Sequence, residues 1–367
     1  MTMTGYDAVV VGGGPAGSTC ARTLGRAGWN VVLLDRATFP RDKVCAGWLT
    51  PGVFPLLDLD PAEYRAAGLT LQEISSFRTG ILAADGHRRP LTETQYPHVV
   101  SYAIRRCEFD DFLLRRAGIQ VLEGTPMTAL RHAGGRWIVN ESIAAPVVVG
   151  AGGHFCPVAR HLQGSPDTSQ PVVAKEAEFR VSDRGGGPDR QPPELHFCRD
   201  FEGYGWCVRK GDYLNVGIGR RESRDFGEHV KKFIAFLEAR GTLTPGMSPR
   251  WRGHAYFASG VGPRPLVATG VLIAGDSAGL AYPESGEGIQ PAIASGRLAA
   301  ETLIAADGRY GVEDLQPYAE ALGRVHPPVR RPAAPVRSAS AVIGRVLLGS
   351  SLFTRHVLLD RWFLRGA

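Results

Sequence analysis

The chain has 367 residues, 44% hydrophobic and 21% charged, with a formal net charge of +6. That balance describes a globular chain with a sizeable core and excludes a disordered or low-complexity protein. No apolar run approaches the roughly 18–20 residues that cross a bilayer. The six cysteines (Cys20, Cys45, Cys107, Cys156, Cys198, Cys207) show no CxxC pairing, so no metal site and no disulfide framework is indicated. The first strand begins almost at once and leaves no room for a signal peptide, so a cytoplasmic setting is expected.

Tyr6–Val11 is a short, β-branched apolar run of the kind buried in a parallel sheet. Gly12-x-Gly14-x-x-Gly17 follows directly, and Ser18–Arg26 reads as helix. Gly12 permits a tight turn and Gly14 lets the backbone approach a pyrophosphate. Gly17 brings helix and strand close, so that the helix N-terminus faces the phosphates. The next apolar run, Asn30–Leu34, ends in Asp35, eighteen residues after Gly17 and well placed to accept ribose hydroxyls. Strand, glycines, helix, strand and acid in this order predict a dinucleotide site.

Further on, Arg78–Ala84 and His98–Ile104 read as extended runs flanking a turn at Asp85-Gly86. Arg106–Arg116 reads as helix and Ala144–Gly150 as a buried strand. Val172–Val181, Glu194–Phe197, Gly205–Val208 and Tyr213–Gly219 read as strands, interrupted by a helix at Phe226–Ala239. After the strand Val271–Ala274 comes a second glycine-rich signature, Gly275-Asp276-Ser277-Ala278-Gly279 with Gly286-Glu287-Gly288-Ile289, and then a helix to Ile304. Asp276 can accept ribityl hydroxyls, and Gly286 and Gly288 open space for a flat ring. The helix beginning near Glu287 is expected to aim its amides at the N1–C2=O edge of that ring. A late return to the nucleotide site implies a cofactor long enough to need both signatures, which is FAD.

The predicted fold is α/β: a Rossmann-type FAD-binding domain, a mainly antiparallel β-sheet substrate domain and C-terminal helices. The boundaries are 1–75, 98–165 and 260–305 for a discontinuous FAD domain, 76–97 and 170–259 for the substrate domain, and 306–367 for the helical region. Residues 326–337, with four prolines and three arginines, read as a linker. Beyond it, Arg345, Arg355, His356, Arg361 and Arg365 interleave with Val342, Ile343, Val346, Leu347, Leu348, Leu352, Phe353, Leu358, Leu359, Trp362, Phe363 and Leu364. Such a segment suits either a helix at an anionic membrane surface or a helical pair packed on the body with a solvated basic face. No motif points to nucleic acid.

The chain resembles the geranylgeranyl reductase family, flavoproteins that share the p-hydroxybenzoate hydroxylase fold. The resemblance spans nearly the full length. It is carried by GGGPAG, Phe39-Pro40-Arg41-Asp42-Lys43-Val44-Cys45-Ala46-Gly47, Arg106-x-x-Phe109-Asp110-x-x-Leu113, Tyr204-Gly205-Trp206 followed by Gly211-Asp212-x-x-Asn215-Val216-Gly217-x-Gly219, and the second signature. It implies reduction of C=C bonds of an isoprenoid or other apolar substrate by hydride from flavin N5, with NAD(P)H or a ferredoxin as electron donor. It also implies FAD contacts from Pro15, Ala16, Arg36, Lys43, Cys45, Ala46, Gly47, Arg106, Ala151, Gly152, Gly275 and Ile289, with Arg106 at the adenosine half. Cys45, Tyr204 and Trp206 are the candidate catalytic residues. Cys45 is either a thiol beside the ring, with its pKa lowered by Lys43 and Arg41, or a compact buried residue. Tyr204 and Trp206 either line an apolar tunnel or fill the sheet core. His154, His196 and His254 are expected to be ordinary surface or core residues.

Two departures bear on the activity. After the middle strand the chain reads Gly150-Ala151-Gly152-Gly153, where hydroxylases of this fold and many reductases carry Asp-Gly. The cysteine loop reads Cys45-Ala46-Gly47-Trp48-Leu49-Thr50-Pro51, where reductases have a second glycine after the cysteine. The alternative is an FAD-dependent monooxygenase that hydroxylates or epoxidises through a C4a-hydroperoxyflavin. GDSAG in place of GDAAH and GEGI in place of GxGxN count against it. A third reading, a non-catalytic FAD-binding protein docking through its basic C-terminus, sits poorly with intact signatures at both ends of FAD. Halogenation is not indicated, because Trp-x-Trp-x-Ile-Pro is absent.

Overall fold

The computed structural model describes residues 3–82, 91–163, 171–181, 191–221, 224–244, 249–259, 264–326, 344 and 347–365. The Asp85-Gly86 turn, residues 327–337 of the linker, and Val342, Ile343, Arg345 and Val346 lie outside the described residues.

A six-stranded sheet holds the nucleotide unit, in the order Val267–Ala268, Val271–Ile273, Val147–Gly150, Ala8–Val11, Val31–Leu34, Gln120–Leu122. All pairings are parallel except that of the first two strands. The four inner strands, Val271–Ile273, Val147–Gly150, Ala8–Val11 and Val31–Leu34, are buried on both faces, which is why they read as apolar runs. The register sets Val11 opposite Gly150 and Leu34, and Gly150 opposite Ile273. The residues that follow, Gly12, Asp35, Ala151 and Ala274, therefore emerge together at the carboxyl edge, where ligands bind in sheets of this kind.

The helices Pro15–Arg26 and Ile289–Ala306 cross against each other over this sheet. Their approach depends on Gly296, where a Cβ would overlap the carbonyl oxygen of Ala16. The two signatures are thereby packed into one corner although they are far apart in sequence.

A seven-stranded sheet carries the second layer, in the order Arg252–Tyr256, Val172–Arg180, Tyr213–Arg220, Gly203–Lys210, Glu194–Phe197, Ser76–Ile81, Thr92–Gln95. It is antiparallel except where Glu194–Phe197 runs parallel to Ser76–Ile81. The helix Phe226–Ala239 covers one face with Val230, Phe233, Phe236 and Leu237. Gly205 makes this possible, since a Cβ there would strike the Phe233 ring.

Two small sheets differ from the sequence reading: the expected strand Ala144–Gly150 divides into Ile143–Ala145 and Val147–Gly150, and His98–Ile104 gives Ser101–Ala103 to a separate sheet while Ser76–Ile81 pairs with Thr92–Gln95 instead. One joins Thr4–Gly5 to Ile143–Ala145, Arg136–Val139 and Leu130–Ala133, and the other joins Trp48–Leu49, Ser101–Ala103 and Gln72–Ile74. The C-terminal region contains the helix Val312–Val325, the turn Ser351–Phe353 and the π-helix Thr354–Leu364. Leu358, Leu359, Phe363 and Leu364 are buried in one cluster with Trp48, Phe77, Phe197 and Trp206. The apolar face of this segment thus packs on the body. No helix among the described residues is long and apolar enough to cross a membrane.

Candidate active site

One continuous cavity of about 1180 Å³ runs along the carboxyl edge of the parallel sheet and under the antiparallel one. At one end it is lined by Gly12, Gly14, Asp35 and Arg36; in the middle by Lys43, Cys45, Asp276 and Gly286; at the other end by Trp48, Phe197, Tyr204, Trp206 and Phe363. Pro15, Ala16, Ala46, Arg106, Ala151, Gly152, Gly288 and Ile289 also border it. Gly17, Gly47 and Gly275 do not line it and act instead on the backbone around it. A Cβ at Gly17 would overlap the Gly12 carbonyl, and one at Gly47 the Ile104 carbonyl; Gly47 (φ +66°) and Gly275 (φ +65°) are left-handed.

The first signature forms a cradle. Gly12 has φ +111°, and a Cβ there would overlap the Ala151 carbonyl. At Gly14 a Cβ would meet only Arg41 Nη2, at 3.5 Å, so this side faces open space beside a cation. Asp35 accepts from the amides of Gly13 (2.7 Å) and Ala37 (2.8 Å), which fixes its carboxylate at the cavity wall. Arg41 is held 3.2 Å from Asp110, whose carboxylate also takes both 2.8 Å bonds of the Arg106 guanidinium.

Arg106, Arg41, Lys43 and the helix of the second signature each have protein partners. Arg106 is buried and its guanidinium is held by Asp110, the carboxylate that also pairs with Arg41 beside Gly14. Arg41 and Lys43 pair with Asp110 and Asp276 (3.2 and 3.7 Å). The helix Ile289–Ala306 does not offer free amides to a ring. The Glu287 side chain caps it, with Oε1 accepting from Gln290 at 2.7 Å and the carboxylate also taking the Ile289 amide.

His254 is the largest omission. It is not an ordinary core histidine: its Nε2 lies 2.5 Å from Lys43 Nζ and 3.9 Å from Asp276 Oδ2. Burial pushes both His254 and Lys43 toward their neutral forms. Burial also raises the Asp276 carboxyl, but the neighbouring His254 and the Lys43 charge outweigh it and hold Asp276 far below the carboxylate range. His154 lines the cavity against Phe257, and His196 bonds Glu194 at 3.1 Å under the Phe236 ring. Tyr256 was also missed; its hydroxyl occupies the space that a side chain at Gly286 would need. His254 and Tyr256 reach the site because Arg252–Tyr256 pairs with Val172–Arg180, a long-range pairing with no local signal.

Cys45 lies in a tight loop. Its amide donates to Glu176 Oε2 (2.8 Å), its carbonyl accepts from Lys210 Nζ (3.3 Å), and its Sγ accepts from the Gly47 amide (3.3 Å). Burial pushes the Glu176 carboxyl up to about 7 against the opposing Lys210 charge. The Trp206 indole donates to Asn215 Oδ1 (2.7 Å), and the Asn215 amide reaches Glu176 and Glu178 at 3.3 Å. Trp206 is thus both a core residue and a wall of the cavity. Tyr204 donates to the Ser285 carbonyl in the second signature, which bridges the antiparallel sheet to the loop before Gly286.

These features fit FAD. The glycine cradle has room for a pyrophosphate, the Asp35 carboxylate is fixed beside it at the cavity wall, Asp276 and its cations border the same cavity, and the buried Glu287 Oε2 has no hydrogen-bond partner.

The comparisons agree. A family model for FAD-dependent oxidoreductases of the DAO type matches residues 7–99. The digeranylgeranylglycerophospholipid reductase of Methanothrix thermoacetophila is 30% identical over 334 residues, covering 85% of this chain and 81% of the relative. The menaquinone reductase of Mycobacterium tuberculosis is 29% identical, covering 82% of this chain and 77% of that protein. A geranylgeranyl bacteriochlorophyll reductase-like protein of Thermoplasma acidophilum has the same fold, with a TM-score of 0.70, 21% identity, and coverage of 95% of this chain and 88% of that one. The chain belongs to the geranylgeranyl reductase family of FAD-dependent oxidoreductases.

Proposed function

We propose that this enzyme reduces C=C bonds of an isoprenoid or other apolar substrate. The observation that carries the proposal is the single cavity joining both glycine signatures to an aromatic end built by Trp48, Phe197, Tyr204, Trp206 and Phe363. Bound FAD, once reduced, supplies a hydride to one alkene carbon. NAD(P)H or a ferredoxin serves as the electron donor.

The protein's part is orientation, because an isolated alkene develops no oxyanion to be stabilised. Tyr204 and Trp206 hold the chain against the second signature, their rings fixed by the Ser285 carbonyl and by Asn215. The rings exclude water. Cys45, which lines the cavity with Arg106 and Tyr204, is the group we assign to deliver a proton to the second alkene carbon. Direct cofactor contacts by Arg36, Lys43, Arg106 and Ala151 belong to the same reading. The substrate is drawn from a membrane surface, with Leu352, His356 and Arg361 as the exposed residues of the C-terminal segment that meet it.

Anaerobic incubation with dithionite and prenyl substrates tests this. The expected product gains two hydrogens per reduced bond, and Cys45→Ala should keep its FAD while losing most turnover. A product that forms only with oxygen and carries an added oxygen atom would replace the proposal with the monooxygenase.

A further inference from the structure

The C-terminal segment belongs to neither signature, yet Gly344, Leu347, Phe353, Trp362 and Phe363 border the cavity. Residues Thr354–Leu364 form a π-helix, a form that is rarely sustained and often marks functional sites. Leu358, Leu359 and Leu364 are buried without touching the cavity, so they suffice to seat the helix on the body. Trp362 and Phe363 are different: they are the residues of this helix that face the open space.

Phe363 is a hub, with its ring 5.4 Å from Tyr204, 5.5 Å from Trp48 and 6.2 Å from Phe197. One ring, Tyr204, therefore separates the helix from the Ser285 carbonyl of the flavin signature. Trp362 is half-buried and stands edge-on to Phe353 at 6.4 Å. The helix is pinned from both sides. The Tyr96 hydroxyl donates to Asp360 at 2.6 Å, Arg365 donates to Glu284 at 2.5 Å, and the Arg365 guanidinium lies 3.6 Å over the Tyr282 ring. A pinned helix that presents two large rings to an apolar cavity is a fixed wall.

We propose that Trp362 and Phe363 set the length and bulk of the apolar chain that the enzyme accepts. The inference rests on the reading of the substrate as apolar, and it concerns chain selection rather than the reduction itself.

The test uses holoenzyme and two probe series, prenyl alcohols of two, three and four isoprene units and unbranched alkanols of matching length. Dissociation constants are read from the shift of the bound-flavin spectrum. Trp362→Val and Phe363→Leu should move the preferred length upward by about one isoprene unit and tighten the longer chain about fivefold or more, since each newly buried CH₂ contributes about 0.8 kcal/mol. Ser351→Ala, an exposed change in the same segment away from the cavity, should leave the ranking unchanged. Should either variant fail to retain FAD, Trp362→Phe is read for the same upward shift. An unchanged ranking, within about twofold (below about 0.5 kcal/mol), in FAD-loaded Trp362 and Phe363 variants would overturn the proposal. Binding of alkanols without prenyl alcohols would overturn the isoprenoid reading alone, and the alkanol ranking would then decide the wall.

Discussion

Glu287 Oε1 accepts the amide of Gln290 at 2.7 Å, while Glu287 Oε2 is buried with no hydrogen-bond partner. Burial pushes this carboxyl up to about 7, against the pull of the Gln290 and Ile289 amides. With the folded value raised above the unfolded one, the contribution of Glu287 to stability is full below the ordinary carboxylate range and is lost as pH rises through about 7. Glu287→Gln keeps an oxygen for the helix cap and removes the charge. In urea unfolding of the apoprotein it should match the parent near pH 4 and exceed it by about 2–3 kcal/mol above pH 8.

Asp276 joins Lys43 and His254 at the centre of the cavity. Asp276→Ala leaves the buried Lys43 without its carboxylate and, on the proposed function, removes an acceptor for the cofactor. The purified variant should be colourless, with its flavin-to-protein absorbance ratio reduced about tenfold or more, equivalent to at least about 1.4 kcal/mol in binding. A fully yellow variant would remove Asp276 from the cofactor site.

Gly296 allows the helix bearing the second signature to lie against Ala16 of the first. Gly296→Ala has no room for its methyl group, and the obstacle is backbone. A loss of about 3 kcal/mol is expected by chemical unfolding, within the range of overpacked cores. Gly227→Ala, in the helix Phe226–Ala239, meets nothing within 4 Å and should be neutral or gain about 0.5 kcal/mol.

Trp206 donates its indole N–H to Asn215, which is wholly buried. Trp206→Phe keeps a ring in the wall but strips that acceptor of its donor, at a cost of about 1–3 kcal/mol. A lower melting temperature with unchanged FAD content is expected; unchanged stability would show that the network repairs itself.

Chemistry that depends on local backbone was legible in the sequence. Gly12, Gly14, Gly17 and Asp35 announce a strand–turn–helix–strand unit because each answers a constraint within a few residues. Arg106–Arg116 and Phe226–Ala239 are helices with the boundaries expected, since their signals are also local. His254 and Tyr256 were illegible because strand partnership brings them to Asp276 and Gly286. The capping by Glu287 was missed because an acid at a helix start reads as a favourable charge, while its effect here is to occupy the amides expected to face the ring. The C-terminal segment showed its apolar content but not its direction: Leu358, Leu359 and Phe363 turn toward Trp48 and Phe197, a contact that only tertiary packing decides.

The most direct measurement is a single turnover without oxygen. The enzyme is reduced with one equivalent of dithionite, mixed with a prenyl substrate in a stopped-flow instrument and followed through the flavin absorbance, with the product analysed by mass. The account expects the oxidised flavin spectrum to return without oxygen, together with a substrate that has gained two hydrogens. Flavin that stays reduced until oxygen is admitted, followed by a product bearing one added oxygen, would contradict it.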